Sequence, residues 1–203
     1  MNEIAEQTAG DDAFPLTFPP EEAAWVRECY GAARVILEYG SGGSTVLAAS
    51  QPGKQVFSVE SDRRWARRLR RHLDAAALPS PVTLHHADIG LTGKWGRPVS
   101  DAGWRGYHAY PLSVWDRPGF VPPDLILIDG RFRPACLLTA LLRSEQPVTV
   151  LFDDYVGRAT YRAVERFIAP AATRGRMARF EIEPAPLPRA QLTEIIRLFN
   201  EPF

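Results

Sequence analysis

Cysteine is scarce in this 203-residue chain: only Cys29 and Cys136 occur, far apart and without a CxxC spacing. That excludes a disulfide framework and a cysteine-built zinc cluster, and it fits a reducing, cytoplasmic setting. Net charge is missing as well, since 24 Lys and Arg balance 24 Asp and Glu. A broad polyanion-binding surface is therefore not expected, which argues against nucleic acid as the partner. No apolar run approaches the roughly 20 residues of a membrane-spanning helix. Met1 to Gly10 is polar and acidic, so no signal peptide is expected there. Two nucleotide-binding signatures are absent too. A GxGxxG pattern counted from Gly40 requires glycine where Thr45 stands, and counted from Gly42 it fails at Ser44 and Leu47. No Gly-Lys-Ser/Thr follows, so the loop is not a P-loop.

What is present suffices for one domain, because 45% of the residues are hydrophobic. Residues 1–20 read as an N-terminal arm with a Gly-Asp-Asp cluster and three prolines, leaving 21–203 as the domain. A helix is expected from Glu21 to Ala32, after Pro19 and Pro20. Val35 to Leu37 is a short buried strand running into Gly40, Gly42 and Gly43, and a helix restarts at Ser44. Further strands are expected at Gln55 to Val59, Val82 to His86, Asp124 to Ile128 and Val148 to Phe152. Helices are expected at Asp62 to Leu73, Pro134 to Arg143 and Arg158 to Ile168. Arg179 to Ile182 and Leu192 to Leu198 read as closing strands. The alternation predicts a Rossmann-like α/β fold: a mostly parallel, doubly wound, seven-stranded sheet with helices on both faces and an antiparallel C-terminal strand.

In such sheets ligands bind beyond the carboxyl ends of the strands. Acidic residues stand at each of those ends: Glu38, Glu60, Asp88, Asp129 and the pair Asp153 and Asp154. Turn and helix-capping duties are the alternative for each. Glu60 lies 22 positions after Glu38, where a carboxylate can accept from both ribose hydroxyls. Residues 89–123 are too long for an ordinary connection and carry Trp95, Trp104, Tyr107, Tyr110 and Trp115. They read equally as a substrate-binding insertion or as a satellite core or dimer contact, and a homodimer is one expectation for these aromatics and the arm.

The Glu38-Tyr39-Gly40-Ser41-Gly42 run, followed by the acid at Glu60, resembles the class I S-adenosylmethionine-dependent methyltransferases over about Val35 to Phe199. The third glycine frequent in that family is Ser44 here, with Gly43 displaced by one. The resemblance implies S-adenosylmethionine at Glu38, Gly40, Ser41, Gly42, Gly43 and Ser44, its ribose on Glu60 beside Ser61, and its adenine near Asp88 and Ile89. It also implies methyl transfer to a small-molecule acceptor.

Methyl transfer needs alignment, and a hydroxyl acceptor also needs a base or a metal. Asp129, Asp153 and Asp154 end strands expected to be neighbours, and three converging carboxylates suit a hard divalent ion. The pattern is similar to cation-dependent O-methyltransferases of the catechol type, which implies that these three residues are Mg2+ ligands. In that group a lysine base follows the first Asp, whereas Arg131 and Arg133 follow here and stay protonated. They could grip a carboxylate or phosphate instead. Trp104 and Tyr107 are further substrate-binding candidates, and Asp129, Asp153 and His108 are the catalytic ones. The arginines from Arg63 to Arg71 read as a solvated helix face or as a surface for RNA or an acidic partner. An RNA methyltransferase, a nucleotide-dependent oxidoreductase and a non-catalytic binding module are the other readings.

Overall fold

The computed structural model describes residues 14–186 and 188–202. Residues 1–13 of the expected arm lie outside them. The first elements are α1 (Pro20–Ala32), β1 (Val35–Tyr39), α2 (Gly43–Ser50), β2 (Gln55–Glu60), α3 (Arg63–Ala76) and β3 (Val82–His86). After a long connection come α4 (Ala109–Leu112), β4 (Leu125–Ile128), α5 (Arg133–Arg143) and β5 (Val148–Phe152). The chain closes with β6 (Ala172–Arg174), β7 (Met177–Ile182) and α6 (Leu192–Phe199). One sheet holds all seven strands in the order β3-β2-β1-β4-β5-β7-β6. β7 is antiparallel to both β5 and β6, and the other neighbours are parallel. Chain order reverses between β1 and β4, so the switch point lies at the ends of these two strands.

Strand side chains alternate between two cores. Ile36, Val56, Leu125, Leu127 and Leu151 face α1 and α2, meeting Trp25, Val26, Tyr30 and Ala48. Leu37, Phe57, Ile126, Val150 and Phe152 face the other way, onto Ala135 and Cys136 of α5 and onto Tyr107, Tyr110, Val114 and Trp115. The 89–123 connection thus covers the face that a β3-to-β4 crossover helix would occupy. Its aromatics divide: Tyr107, Tyr110 and Trp115 are core, whereas Trp95 and Trp104 are exposed.

Two expected elements differ. Leu192 to Leu198 is the helix α6, not a strand, because burial falls on Ile195 and Leu198, three apart, while Ile196 points outward. Arg158 to Ile168 yields only a 3₁₀ helix at Tyr161–Arg166. Its buried side chains, Tyr161 and Val164, are again three apart, which suits the tighter turn. β6, three residues long, has no sequence expectation. The described part of the arm is docked: Phe14 packs edge-on against Trp65 at 5.1 Å, and the Arg68 guanidinium lies over both rings.

Candidate functional site at the strand ends

The glycine loop is held from beneath by Glu38. Its carboxylate is fully buried and accepts from the Tyr30 hydroxyl at 2.5 Å and the Thr45 hydroxyl at 2.5 Å. Burial raises its carboxyl above the ordinary value, opposed by those hydroxyl donors. Glu38 therefore ties α1 and α2 to β1, with both oxygens occupied inside the protein. Thr45 Oγ1 also accepts from the Gly42 N–H at 3.0 Å, closing the loop on the first turn of α2.

Glycine is needed at 40 for two reasons. Its φ is +101°, and a Cβ there would sit 2.7 Å from the Gly130 nitrogen. The loops after β1 and β4 consequently meet backbone to backbone at the switch point. Gly43 is pressed by the Pro15 carbonyl, so the displaced glycine makes room for the arm. A Cβ on Gly42 would meet only the Trp65 ring, at 3.7 Å. The Trp65 indole N–H donates to the Ser41 carbonyl at 2.7 Å, and Ser41 Oγ lies 2.7 Å from Ser58 Oγ.

Glu60 ends β2 beside this loop. Its Oε1 accepts from the N–H groups of Ser61 and Asp62, both at 2.7 Å. Its Oε2 has only a long contact from the Ser41 N–H, at 3.4 Å, and so retains accepting capacity. Burial raises this carboxyl, and the three backbone donors oppose the shift. The Ser61 hydroxyl donates to the Gly96 carbonyl at 3.0 Å, which seats the 89–123 connection at the same edge. Ile89 is buried in the core, while Asp88 is exposed and accepts from the Gly90 N–H at 3.0 Å. A glycine loop, a strand-end carboxylate with one oxygen available and a neighbouring buried apolar residue form a donor and acceptor set that fits a nucleoside.

Asp129, Asp153 and Asp154 do converge, but arginines occupy the space between them. Arg133 reaches Asp129 at 3.1 Å, Asp154 at 3.5 Å and Asp153 at 3.8 Å. Its remaining hydrogens go to the carbonyls of Asp129, Gly130 and Asp153. Arg176 grips both oxygens of Asp153, at 3.0 and 2.8 Å, and reaches Asp154 at 3.1 Å. Arg158 holds Asp154 at 2.8 Å. As arranged, these residues do not fit the expected Mg2+ site, because guanidinium groups already pair with the three carboxylates. Among the described residues no group of three or more His, Cys, Asp or Glu is placed to hold a metal ion.

Within this cluster Asp129 differs from its neighbours. Its side chain is 32% exposed, while that of Asp153 is 1% exposed. Desolvation, with Asp153 and Asp154 adding to it against Arg133, raises the Asp129 carboxyl to about 7. A carboxyl poised near neutrality is suited to taking a proton.

The remaining candidates scatter. Tyr107 is buried, with its ring 5.0 Å from Phe132 and its hydroxyl on the Ser100 carbonyl. Trp104 and His108 are exposed on the same connection. Sequence reasoning missed Arg176, Arg158, Tyr30 and Tyr161, which reach the site from elsewhere. Arg176 sits in the β6–β7 turn, and nothing local in its sequence marks it. A separate groove of about 650 Å³ lies between α3 and β3, lined by Arg63, Arg67, Arg70, Arg71 and His86.

No protein-family model matches the sequence. No curated protein matches it either. Among solved structures, a methyltransferase-like protein of Silicibacter pomeroyi is 50% identical, with 93% of this chain and 98% of that one covered and a TM-score of 0.90. The O-methyltransferase of Bacillus cereus in complex with S-adenosylhomocysteine is 18% identical, with 82% of each chain covered and a TM-score of 0.57. The O-methyltransferase TomG of Streptomyces achromogenes in complex with S-adenosylmethionine is 18% identical, with 81% of this chain and 80% of that one covered and a TM-score of 0.54. The last two likenesses are of fold. Among the described residues no helix is long and apolar enough to cross a membrane.

Proposed function

Because this chain belongs with the methyltransferase-like proteins, we propose that it is a class I S-adenosylmethionine-dependent methyltransferase and that it methylates a hydroxyl oxygen of a small-molecule acceptor. The observation that carries the cofactor reading is Glu60. Its Oε2 is nearly unengaged beside the glycine loop, at the strand end where a ribose would be held. Gly42, Ser41 and Ser61 would border the same ligand, and Ile89 and Asp88 would lie toward its base. Glu38 acts indirectly, by fixing the loop. When bound, the cofactor supplies an electrophilic methyl group on sulfonium sulfur.

Support for an oxygen acceptor comes from Asp129. Its carboxyl, raised to about 7, takes the proton that a hydroxyl loses as it becomes a nucleophile. Arg133 holds the Asp129 carboxylate in place, and Asp153 orients both arginines. The chain's contribution is thus positioning and proton acceptance, with no step assigned to a metal.

Competition at the nucleoside site tests the reading. S-adenosylhomocysteine should displace bound S-adenosylmethionine, and nicotinamide dinucleotides should not. Displacement by a dinucleotide alone would favour a nucleotide-dependent oxidoreductase. The arginine groove beside α3 favours one second reading, an RNA acceptor. RNA binding with a steep inverse dependence on salt would support it.

A further inference from the structure

Two arginines follow Asp129, and the structure separates them. Arg133 has every hydrogen-bonding direction filled by carboxylates and carbonyls. Arg131 is 8% exposed, yet its Nε and one terminal nitrogen have no partner. Among the described residues it is the one side chain with two such atoms. Tyr161, 1% exposed, also has a buried hydroxyl without a partner. Native proteins rarely leave buried donors unpaired, and a buried charge least of all.

The surroundings sharpen the point. The charged groups that bear most on Arg131 are Arg133 and Arg97, both positive, and its other close influences are the phenols Tyr110 and Tyr161. Burial and the like charges push the guanidinium down from its ordinary value. The backbone of Arg131 is fixed, since its N–H donates to the Tyr110 hydroxyl at 3.2 Å and its carbonyl accepts from Cys136 Sγ at 3.5 Å. Phe132 follows at φ +51°, so the chain turns sharply into α5. Arg131 therefore stands just past β4 with two buried donors and, among the described residues, no carboxylate paired to it.

We infer that Arg131 and Tyr161 form a buried site for the anionic group, carboxylate or phosphate, of a bound small molecule. The inference rests on the methyl-transfer reading, in which that molecule is the acceptor or the amino-acid end of the cofactor. A guanidinium presents a planar fork that matches both anions, and a phenol adds one neutral donor. Arg133 takes no part, because its fork is already closed on protein oxygens.

Thermal unfolding and calorimetry on the wild type, Arg131→Met, Arg131→Lys and Tyr161→Phe test this. Without ligand, Arg131→Met should unfold no lower than the wild type, since it removes an unpaired buried charge. If the anion belongs to the acceptor, inorganic phosphate should raise wild-type unfolding by about 2–4 °C. That rise should vanish in Arg131→Met and shrink in Tyr161→Phe. If it belongs to the cofactor, Arg131→Met should weaken S-adenosylhomocysteine at least about tenfold, and leave methylthioadenosine, which lacks the carboxylate, unchanged. Arg131→Lys should recover only part of either effect. The inference is overturned if Arg131→Met keeps both the phosphate rise and the preference for S-adenosylhomocysteine. A phosphate rise surviving in that variant would assign free phosphate to another place, as in the α3 groove, and rule out the acceptor arm, leaving the S-adenosylhomocysteine preference to decide. Should Arg131→Met fail to fold, an unaltered Tyr161→Phe overturns the inference by itself. If the wild type binds neither nucleoside, the methyl-transfer reading fails, and the phosphate arm still decides the anion site.

Discussion

Glu38 and Asp129 end adjacent strands, and their surroundings give them opposite duties. Glu38 is enclosed and answered by two hydroxyls. Replacing it by Ala leaves the Tyr30 hydroxyl buried without its acceptor, which should cost about 1–3 kcal/mol in urea unfolding, while Thr45 keeps its contacts to Gly42 and Ser58. Asp129 reaches solvent and carries a carboxyl raised to about 7. In its proposed role as proton acceptor it would work ionised, so turnover should rise with pH through about 7. Asp129→Asn should cut kcat by about 10²–10⁴. The same shift has a stability signature. In the unfolded chain this carboxyl ionises near 3.8, so the folded state holds its proton longer. The stabilisation is complete below 3.8 and is lost as pH rises through about 7. Asp129→Asn should remove that decline from a series of denaturant titrations, and an unchanged decline would assign it to another group. At this scale the sequence marked the carboxylates but not their partners. Arg133 and Arg176 come to Asp153 from an adjacent helix and a distant turn, and only the sheet order β4-β5-β7 brings them together.

The elements were legible wherever a single signal governs them. The apolar runs of β1, β4 and β5 announce strands covered on both faces, and Asp62 caps α3 by accepting from the N–H groups of Arg64 and Trp65. The signal failed at α6, where a seven-residue apolar-rich run suits a strand or a helix equally and tertiary packing against α5 decides. In the 89–123 connection composition showed aromatic wealth but could not say which rings face inward. The Tyr39 hydroxyl settles part of that, donating to the Pro111 carbonyl and accepting from the Trp115 indole. The junction of the β1 and β4 loops makes a prediction for elements. Gly40→Ala forces a Cβ against Gly130 at positive φ and should cost about 1–3 kcal/mol in urea unfolding. A neutral result would mean that the loops do not touch as described.

For the whole molecule, the mostly parallel sheet followed from the alternation of strands and helices, while the strand order that puts the switch point between β1 and β4 came only with the structure, and the 50% identical methyltransferase-like protein shares the fold along nearly the whole chain. The expected Mg2+ ligands are paired with arginines instead, and residue types alone cannot show that arginines fill a carboxylate cluster. What the fold delivers is one edge at which the glycine loop, Glu60, Asp129 and Arg131 lie at the ends of three neighbouring strands. That arrangement is useful only if a nucleoside sits against Glu60. Calorimetry of S-adenosylhomocysteine with the wild type and with Glu60→Ala measures this directly. The account predicts binding near micromolar, about −8 kcal/mol, that is lost in the variant while its unfolding stays cooperative. Wild-type protein that takes up no ligand at high concentration, or a Glu60→Ala variant that binds as well, would contradict it.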